Sequence, residues 1–292
     1  MRPPSDPPPI DPQIAELASV CVAAAEAGGK VLRDLFDRPR EVQLKGRIDL
    51  ITDADRAAEE RILNLLAERA PGIAVLAEES GAHGEGSARA RFVVDPLDGT
   101  TNYAHGIPLF ACTVAVELKG LVVGGCTVDP VRGERFRATR GGGAYVGGVS
   151  WNHGSQPPER RLKVSQTEQL AHAVVCTGFP YDGRERLGEM LESFARFTEV
   201  SRGTRRLGSA ALDLAYVAAG RLDVFYEQGL KPWDVAAGQI LVEEAGGLVT
   251  RFDGSPHALM SGEILSSNPH LAPLARAILA EARAKHTGAT AA

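Results

Sequence analysis

The chain has 292 residues, of which 44% are hydrophobic, and a formal net charge of −5 at pH 7. This length suits one large domain or two lobes, and the acidic balance argues against a nucleic-acid partner. No apolar run approaches the ~20 residues that a membrane span needs, so no membrane partner is expected. The cysteines Cys21, Cys112, Cys126 and Cys176 form no CxxC pair, which favours a cytoplasmic protein with free thiols.

The first half of the chain predicts a mixture of helices and strands. Residues 1–11 are rich in proline and predict a disordered tail. A helical apolar repeat follows, and a second amphipathic helix is predicted over residues 56–69. Over residues 110–146 the pattern changes to short β-rich runs, with a hairpin turn at Lys119-Gly120. We interpret residues 12–150 as an N-terminal α+β lobe that carries a metal site.

The second half predicts further helices. Residues 151–161 are polar and contain proline, which indicates a surface loop between two lobes. Residues 185–197 are amphipathic, residues 209–219 form a helix of small residues, and a last helix is predicted from 269 to about 285. We interpret residues 162–292 as a C-terminal α/β lobe that completes the site. Helices and strands in this mixture suit a layered α/β architecture.

The most informative segment follows a run of β-branched and aromatic residues and reads Asp95-Pro96-Leu97-Asp98-Gly99-Thr100-Thr101-Asn102. Two carboxylates lie three residues apart at a predicted strand end, and Gly99 lets backbone amides approach a ligand closely. Carboxylates suit a divalent cation such as Mg²⁺, and free amides suit a phosphate. The same residues are also ordinary turn formers, so this segment alone leaves both interpretations open.

Further acidic residues lie where an apolar run meets a turn or the start of a helix. Asp234 is expected in the first turn of a small-residue helix, where it would also act as an ordinary cap. Glu78 ends a short apolar run, and Asp55 follows Thr52 in a pattern typical of a capping box. A loop or a cap explains each residue singly. Taken together with Asp95, these positions favour a metal-dependent phosphate chemistry.

The segment at residues 95–102, with Trp233-Asp234-Val235-Ala236-Ala237-Gly238 and Ala77-Glu78-Glu79-Ser80, resembles the inositol monophosphatase family. The order and spacing match from about Pro12 to near the C-terminus. The resemblance implies a layered α-β-α-β-α sandwich of the inositol monophosphatase and fructose-1,6-bisphosphatase type. It also implies an Mg²⁺-dependent phosphomonoesterase that hydrolyses inositol 1-phosphate, is inhibited by lithium, and forms a homodimer through residues 110–146.

The resemblance further implies roles for individual residues in metal binding and catalysis. Two Mg²⁺ ions would share carboxylate ligands, and a third, looser ion would bind near Glu78 and the phosphate. The implied ligands are Glu78, Asp95 and the carbonyl of Leu97 for the first ion, and Asp95, Asp98 and Asp234 for the second. Asp55 and Thr100 would orient the attacking water, and Glu78 would assist.

The same resemblance implies a substrate pocket with two sides. The implied substrate-binding residues are Asp98 with the amides of Gly99 and Thr100 around the phosphate, and Gly208, Ser209, Ala210 and Glu227 around the polyol. Glu227 matches a glutamate that hydrogen-bonds inositol hydroxyls. An isolated glutamate is more often an exposed acid at a strand end, so this position remains open between the two interpretations.

Other functions are weighed against the inositol phosphatase. Histidinol-phosphate phosphatases and fructose-1,6-bisphosphatases share the metal ligands, and sequence separates them weakly. A regulatory protein of this fold that binds RNA or a transcription complex is the alternative from another class. Its expected basic surface is not obvious, because Arg202, Arg205 and Arg206 form the only local basic cluster and a solvated surface explains it.

Overall fold

The computed structural model describes residues 10–38, 42–44, 50–84, 90–149, 151, 158–180 and 186–287. Residues 1–9 of the predicted tail and residues 152–157 of the predicted surface loop lie outside this part of the chain. Within it, no helix is both long enough and apolar enough to cross a membrane.

Helices and strands alternate along most of the described chain. The helices are α1 (Pro12–Phe36), α2 (Asp53–Arg69), α3 (Thr100–Ala104), α4 (Leu187–Val200), α5 (Ala210–Ala218), α6 (Pro232–Glu244) and α7 (Ala272–Thr287). The strands are β1 (Val42–Leu44), β2 (Leu50–Thr52), β3 (Ala74–Ala77), β4 (Gly81–His83), β5 (Ala90–Asp98), β6 (Ala111–Leu118), β7 (Leu121–Asp129), β8 (Glu134–Thr139), β9 (Gly143–Gly148), β10 (Arg160–Arg161), β11 (Val174–Thr177), β12 (Gly203–Arg205), β13 (Val224–Gln228), β14 (Leu248–Thr250) and β15 (Glu263–Ser267). The helices expected over 56–69, 209–219 and 269–285 are therefore present, with slightly different ends.

Two large sheets carry most of these strands. The first has eight strands in the order β10-β9-β8-β7-β6-β5-β3-β4, and the second has five in the order β12-β11-β13-β15-β14. The hairpin turn predicted at Lys119-Gly120 joins β6 to β7, and both residues have the positive φ that a type I′ turn requires. Arg160–Arg161 pairs with β9, so the end of the predicted 151–161 loop is a short strand instead. The division of the chain into two lobes stays a prediction.

Alternate residues of β5 face two different hydrophobic layers, as expected for a strand buried on both sides. Phe92 and Val94 pack with α1 and α2, whereas Val93 packs with α5 and α6. The other side of α5 and α6 contacts the second sheet, whose outer face is covered by α4 and α7. The layers are therefore helix, sheet, helix, sheet and helix, which confirms the predicted α-β-α-β-α sandwich.

Two successive glycines in β7 let helices approach the first sheet closely from both sides. A Cβ added at Gly124 would lie 2.9 Å from the Cα of Ala18 in α1. A Cβ added at Gly125 would lie 2.8 Å from the Cα of Ala237 in α6. Successive residues of a strand point to opposite faces. Gly124 therefore lets α1 approach on one face, and Gly125 lets α6 approach on the other. The position of α6 matters most, because this helix carries Asp234.

Replacing Gly125 by alanine should destabilise the protein by about 1–3 kcal/mol, because the added methyl group would overlap the backbone of α6 at Ala237. Gly203→Ala in β12 is the matched control, since its Cβ would meet only the end of the Arg205 side chain. Urea unfolding followed by circular dichroism measures both variants. Equal stabilities would contradict the close packing of α6 on β7.

Candidate active site

Two of the predicted metal ligands lie at the end of β5, where the strand contains a bulge. Asp95 pairs with Thr113 of β6 and Asp98 pairs with Ala111, so β5 has one extra residue between the two aspartates. In a regular strand, residues three apart point to opposite faces. The extra residue brings the two aspartate side chains to the same side of the strand. One carboxylate oxygen of Asp95 lies within 4.8 Å of one carboxylate oxygen of Asp98.

Glu78 reaches the same place because β3 runs parallel to β5. Ala77 pairs with Val94, and the N–H of Glu78 donates to the carbonyl of Val94 at 3.1 Å. Glu78 follows Ala77 and Asp95 follows Val94, so the two carboxylates lie next to each other at this end of the sheet. Their side chains are in hydrogen-bonding contact.

Asp234 enters the cluster from α6, in whose first turn it lies as predicted. The N–H of Lys231 donates to one carboxylate oxygen of Asp234 at 2.6 Å. One oxygen from each of Asp95, Asp98 and Asp234 lies within 4.8 Å of the other two. The helix-cap interpretation is thus confirmed, and the same carboxylate also belongs to the acidic cluster.

The carboxylate of Asp98 is held by the start of α5. The hydroxyl of Ser209 donates to Oδ2 of Asp98, and the N–H of Ala211 donates to the same oxygen at 2.9 Å. Ser209 is also the N-cap of α5, since its hydroxyl accepts the N–H of Leu212. Ser209 was predicted to line the polyol side of the pocket, and the structure adds a direct contact with a predicted metal ligand.

Asp55 and Thr100 meet as predicted, although they come from different elements. Both the N–H and the hydroxyl of Thr52 donate to Oδ2 of Asp55, at 2.7 and 2.6 Å, which confirms the capping box. The other oxygen of Asp55 lies 3.3 Å from the hydroxyl of Thr100. The same hydroxyl lies 3.0 Å from the carbonyl oxygen of Leu97, the predicted backbone ligand. Asp55 therefore has both a capping role and a position beside the cluster.

The predicted phosphate-binding turn packs directly against the predicted polyol-binding segment. Gly99 has a φ of 93°, a conformation that favours glycine. A Cβ at Gly99 would lie 3.1 Å from the carbonyl oxygens of both Leu109 and Gly208. The side-chain amide of Asn102 donates to the carbonyl of Leu207 at 2.8 Å. This hydrogen bond keeps residues 207–210 beside α3.

Burial and mutual repulsion raise the pKa values of the clustered carboxylates. Burial raises the pKa of Asp95 well above its usual range, and the neighbouring Glu78, Asp98 and Asp234 add to this effect. Burial likewise raises the pKa of Asp98 to about 6, although its hydrogen bonds from Ser209 and Ala211 oppose the shift. Burial and then Asp98 raise the pKa of Asp234. Carboxylates this close repel one another unless a proton or a cation lies between them.

The donor set of the cluster fits a hard divalent cation. Every side chain in it offers carboxylate oxygen. The carbonyl oxygen of Leu97, the predicted backbone ligand, accepts from the hydroxyl of Thr100. Oxygen-only ligands select Mg²⁺, Ca²⁺ or Mn²⁺ over metals that prefer nitrogen or sulfur. The cysteines of the described chain are buried and none belongs to the acidic cluster.

Glu227 lies at the end of β13, on the side of the cluster formed by the second sheet. Its carboxylate rests on the backbone of Gly178, the residue that follows β11. Burial, and then the charges of Asp213 and Asp234, raise the pKa of Glu227 well above its usual range. Glu227 is partly exposed and close enough to Asp234 for its charge to act on the carboxyl group, unlike an ordinary acid at a strand end.

Sequence reasoning missed Asp213, a buried carboxyl group on α5. Its side chain is 1% exposed and accepts a hydrogen bond from the thiol of Cys176 at 3.2 Å. Burial raises the pKa of Asp213 to about 8. One signal was available, since α5 reads AALDLAYVA and the acid is flanked by apolar residues on both sides.

Arg206 is exposed as predicted, but its charge acts on the site. Burial dominates the raised pKa values of Asp213 and Glu227, and the positive charge of Arg206 opposes the shift in both. A Cβ at Gly208 would lie 2.6 Å from the guanidinium of Arg206. The basic cluster at residues 202–206 is therefore not only a solvated surface, because one member borders the pocket.

Comparison with known proteins shows which family the chain belongs to. The sequence profile of the inositol monophosphatase family matches residues 13–287. The chain belongs to the inositol monophosphatase family. Members are metal-dependent phosphatases, and the acidic cluster of Asp95, Asp98 and Asp234 is a group of side chains that could hold a metal ion.

Similar proteins include phosphatases and a Nus factor. Inositol-1-monophosphatase of Mesorhizobium japonicum is 42% identical over 84% of this chain and 89% of its own length. Nus factor SuhB of Salmonella typhimurium is 39% identical over 91% of this chain and 96% of its own length. Among solved structures, inositol monophosphatase from Anabaena (Nostoc) sp. PCC 7120 has a TM-score of 0.79 and 36% identity, covering 92% of this chain and 97% of that one.

The metal-free protein should lose stability as the pH rises from 5 to 8. Burial raises the folded-state pKa of Asp98 to about 6 and that of Asp213 to about 8. Both groups then hold a proton in the folded protein at pH values where the unfolded chain has released it. Their contribution to the free energy of unfolding is fully present below the ordinary pKa of an aspartate. It is lost as the pH rises through the folded-state values of about 6 and about 8.

Thermal unfolding in the presence of a chelator measures this loss. Asp213→Asn cannot ionise, so its melting temperature should fall less than that of the wild type between pH 6 and pH 8. Asp53→Asn, at an exposed aspartate of α2, is the control and should follow the wild type. If the melting temperatures of all three proteins fell equally with pH, the prediction that Asp213 is protonated in the folded protein would be contradicted.

Proposed function

We propose that this protein is an Mg²⁺-dependent phosphomonoesterase that hydrolyses inositol 1-phosphate to inositol and phosphate. The observation that carries the proposal is the cluster of Asp95, Asp98 and Asp234, with one oxygen of each within 4.8 Å of the others. It lies beside a turn suited to phosphate and beside the partly buried carboxylate of Glu227. Lithium sensitivity, a cytoplasmic location and a homodimer packed through residues 110–146 are included in the proposal.

The residues that would hold the metal ions are those of the acidic cluster and its neighbours. Glu78, Asp95 and the carbonyl of Leu97 would bind one ion, and Asp95, Asp98 and Asp234 a second. A third would bind near Glu78. When bound, divalent cations lower the pKa of a coordinated water and neutralise charge on the phosphate and the leaving oxygen.

The chain's own residues orient the reactants. The hydroxyl of Thr100 lies between Asp55 and the carbonyl of Leu97, at 3.3 and 3.0 Å, and both partners are acceptors. Its lone pairs therefore remain to accept a hydrogen bond from a water, and Asp55 fixes its direction. The backbone amides of Gly99 and Thr100 would receive the phosphate oxygens, because the positive φ of Gly99 turns the chain there.

The polyol would lie between the start of α5 and the end of β13. Gly208, Ser209 and Ala210 would form one wall, and Glu227 would accept hydrogen bonds from hydroxyls of the ring. Bound cations would favour the ionised form of Glu227. A carboxylate that accepts two hydroxyls makes charge-assisted hydrogen bonds, which are stronger than neutral ones. This feature favours a polyol over an ester without neighbouring hydroxyls. Histidinol phosphate and fructose 1,6-bisphosphate are the alternatives of the same fold.

A second candidate function is a regulatory interaction with a transcription complex or RNA. It is favoured by the 39% identity with Nus factor SuhB of Salmonella typhimurium and by the exposed Arg202, Arg205 and Arg206. A panel of phosphate esters with detection of released phosphate separates the two candidates. Faster release of phosphate from inositol 1-phosphate than from the other esters supports the phosphatase. A flat response across the panel favours the regulatory protein.

Asp95→Asn should reduce phosphatase activity far more than Asp55→Asn. Asp95 would bridge two ions, so its neutral form removes charge from both sites, whereas Asp55 acts only through Thr100 and the start of α2. Titration of Mg²⁺ with each variant, and chelation of the wild type, measure the effect. Turnover of Asp95→Asn near that of the wild type would contradict the two-metal assignment.

Glu227→Ala should lower kcat/KM for inositol 1-phosphate by about tenfold to a hundredfold, since a charge-assisted hydrogen bond contributes roughly 1.5–3 kcal/mol. The same variant should spare 4-nitrophenyl phosphate, which has no hydroxyl for the carboxylate to bind. Asp234→Asn is the matched comparison and should harm both esters alike, because Asp234 would hold a metal. If Glu227→Ala lowered kcat/KM equally for both esters, the proposed role of Glu227 in binding the polyol would be refuted.

A further inference from the structure

Gly178 is a glycine whose backbone conformation does not require one. It follows β11, is buried, and is not among the glycines with positive φ. A side chain at this position would therefore meet no conformational barrier. The reason for a glycine must be the space beside its Cα atom.

That space is filled by the carboxylate of Glu227. A Cβ built at Gly178 would lie closer than 3.0 Å to both carboxylate oxygens and to the carbon between them, a separation that real Cβ atoms essentially never show. The three nearest atoms all belong to this one side chain. An added methyl group would therefore act on Glu227 first.

The sheet explains why the two residues meet. Strands β11 and β13 are parallel neighbours, and Thr177 pairs with Tyr226. The residues that follow this pair are Gly178, directly after β11, and Glu227 of β13. They therefore lie side by side on one face. Equivalent positions on neighbouring strands are about 5 Å apart, so a folded-back glutamate side chain fits over the neighbouring strand only if that strand offers no Cβ.

We propose that Gly178 is a specificity-determining position, because the missing side chain makes room for the Glu227 carboxylate and thereby sets where it meets the substrate. The inference rests on the proposed polyol-binding role of Glu227. The carboxylate is the far end of a flexible side chain, so a methyl group at Gly178 displaces it at little cost to the fold. A displacement on the order of 1 Å is enough to weaken a positioned interaction about tenfold to a hundredfold.

The test is a double-mutant cycle on two substrates. Gly178→Ala, Glu227→Ala and the double variant are compared with the wild type by kcat/KM on inositol 1-phosphate and on 4-nitrophenyl phosphate. Gly203→Ala, one strand further across the same sheet and facing only the end of Arg205, is the control and should keep the wild-type ratio. Gly178→Ala should lower the ratio of inositol 1-phosphate to 4-nitrophenyl phosphate by about tenfold or more. In the Glu227→Ala background the same change should alter it less than about twofold, because the displaced group is gone.

Each other outcome has one meaning. A wild-type ratio in Gly178→Ala, with a lowered ratio in Glu227→Ala, overturns the role of Gly178 and leaves the proposed function standing. An unchanged ratio in Glu227→Ala overturns the polyol-binding role and the inference with it. Equal losses from Gly178→Ala in both backgrounds show that the methyl group does not act through Glu227. If Gly178→Ala fails to fold, the double variant should fold again, and its failure would also overturn the inference.

Discussion

Repulsion among buried carboxylates is the constraint around which this fold is arranged. One oxygen of each of Asp95, Asp98 and Asp234 lies within 4.8 Å of the others, and burial raises the pKa of each. The chain offsets part of this cost with backbone donors, because the N–H groups of Leu97, Ala211 and Lys231 each bind one of these carboxylates. Hydrogen bonds to a charged acceptor are stronger than neutral ones. They fix the direction of each carboxylate, and the remaining repulsion makes a cation favourable at their centre.

Two helices add to this arrangement through their N-termini. The first turn of α5 binds Asp98, and the first turn of α6 contains Asp234. A helix N-terminus carries partial positive charge and favours a nearby anion, so both helices stabilise the ionised cluster. Their position depends on the packing of the layers, since α6 lies against β7 at Gly125, with no side chain between the strand and Ala237. Stability of the middle helical layer and geometry of the site are therefore linked.

The sequence predicted the residues whose role follows from local pattern. Asp95 and Asp98 follow an apolar strand, Asp234 opens a helix, and the family resemblance joined these distant segments. The sequence could not predict the bulge in β5, because the extra residue is recognised only from the pairing of β5 with β6. It also missed Asp213, whose burial results from contact between α5 and the second sheet. The sequence predicts a loop where the two-residue strand β10 lies, since two arginines have no apolar alternation to mark a strand.

The two sheets contribute different things to one site. Strands β3 and β5 of the first sheet supply Glu78, Asp95 and Asp98, whereas β13 of the second supplies Glu227 and β11 supplies the space beside it. If the metal cluster carries the chemistry and the second sheet carries recognition, the two can vary separately. A change beside Glu227 would alter which ester is accepted without replacing any carboxylate of the cluster. Ser209 is the exception, because it lines the proposed polyol wall and donates its hydroxyl to Asp98. Substitutions at that one position should therefore affect recognition and chemistry together.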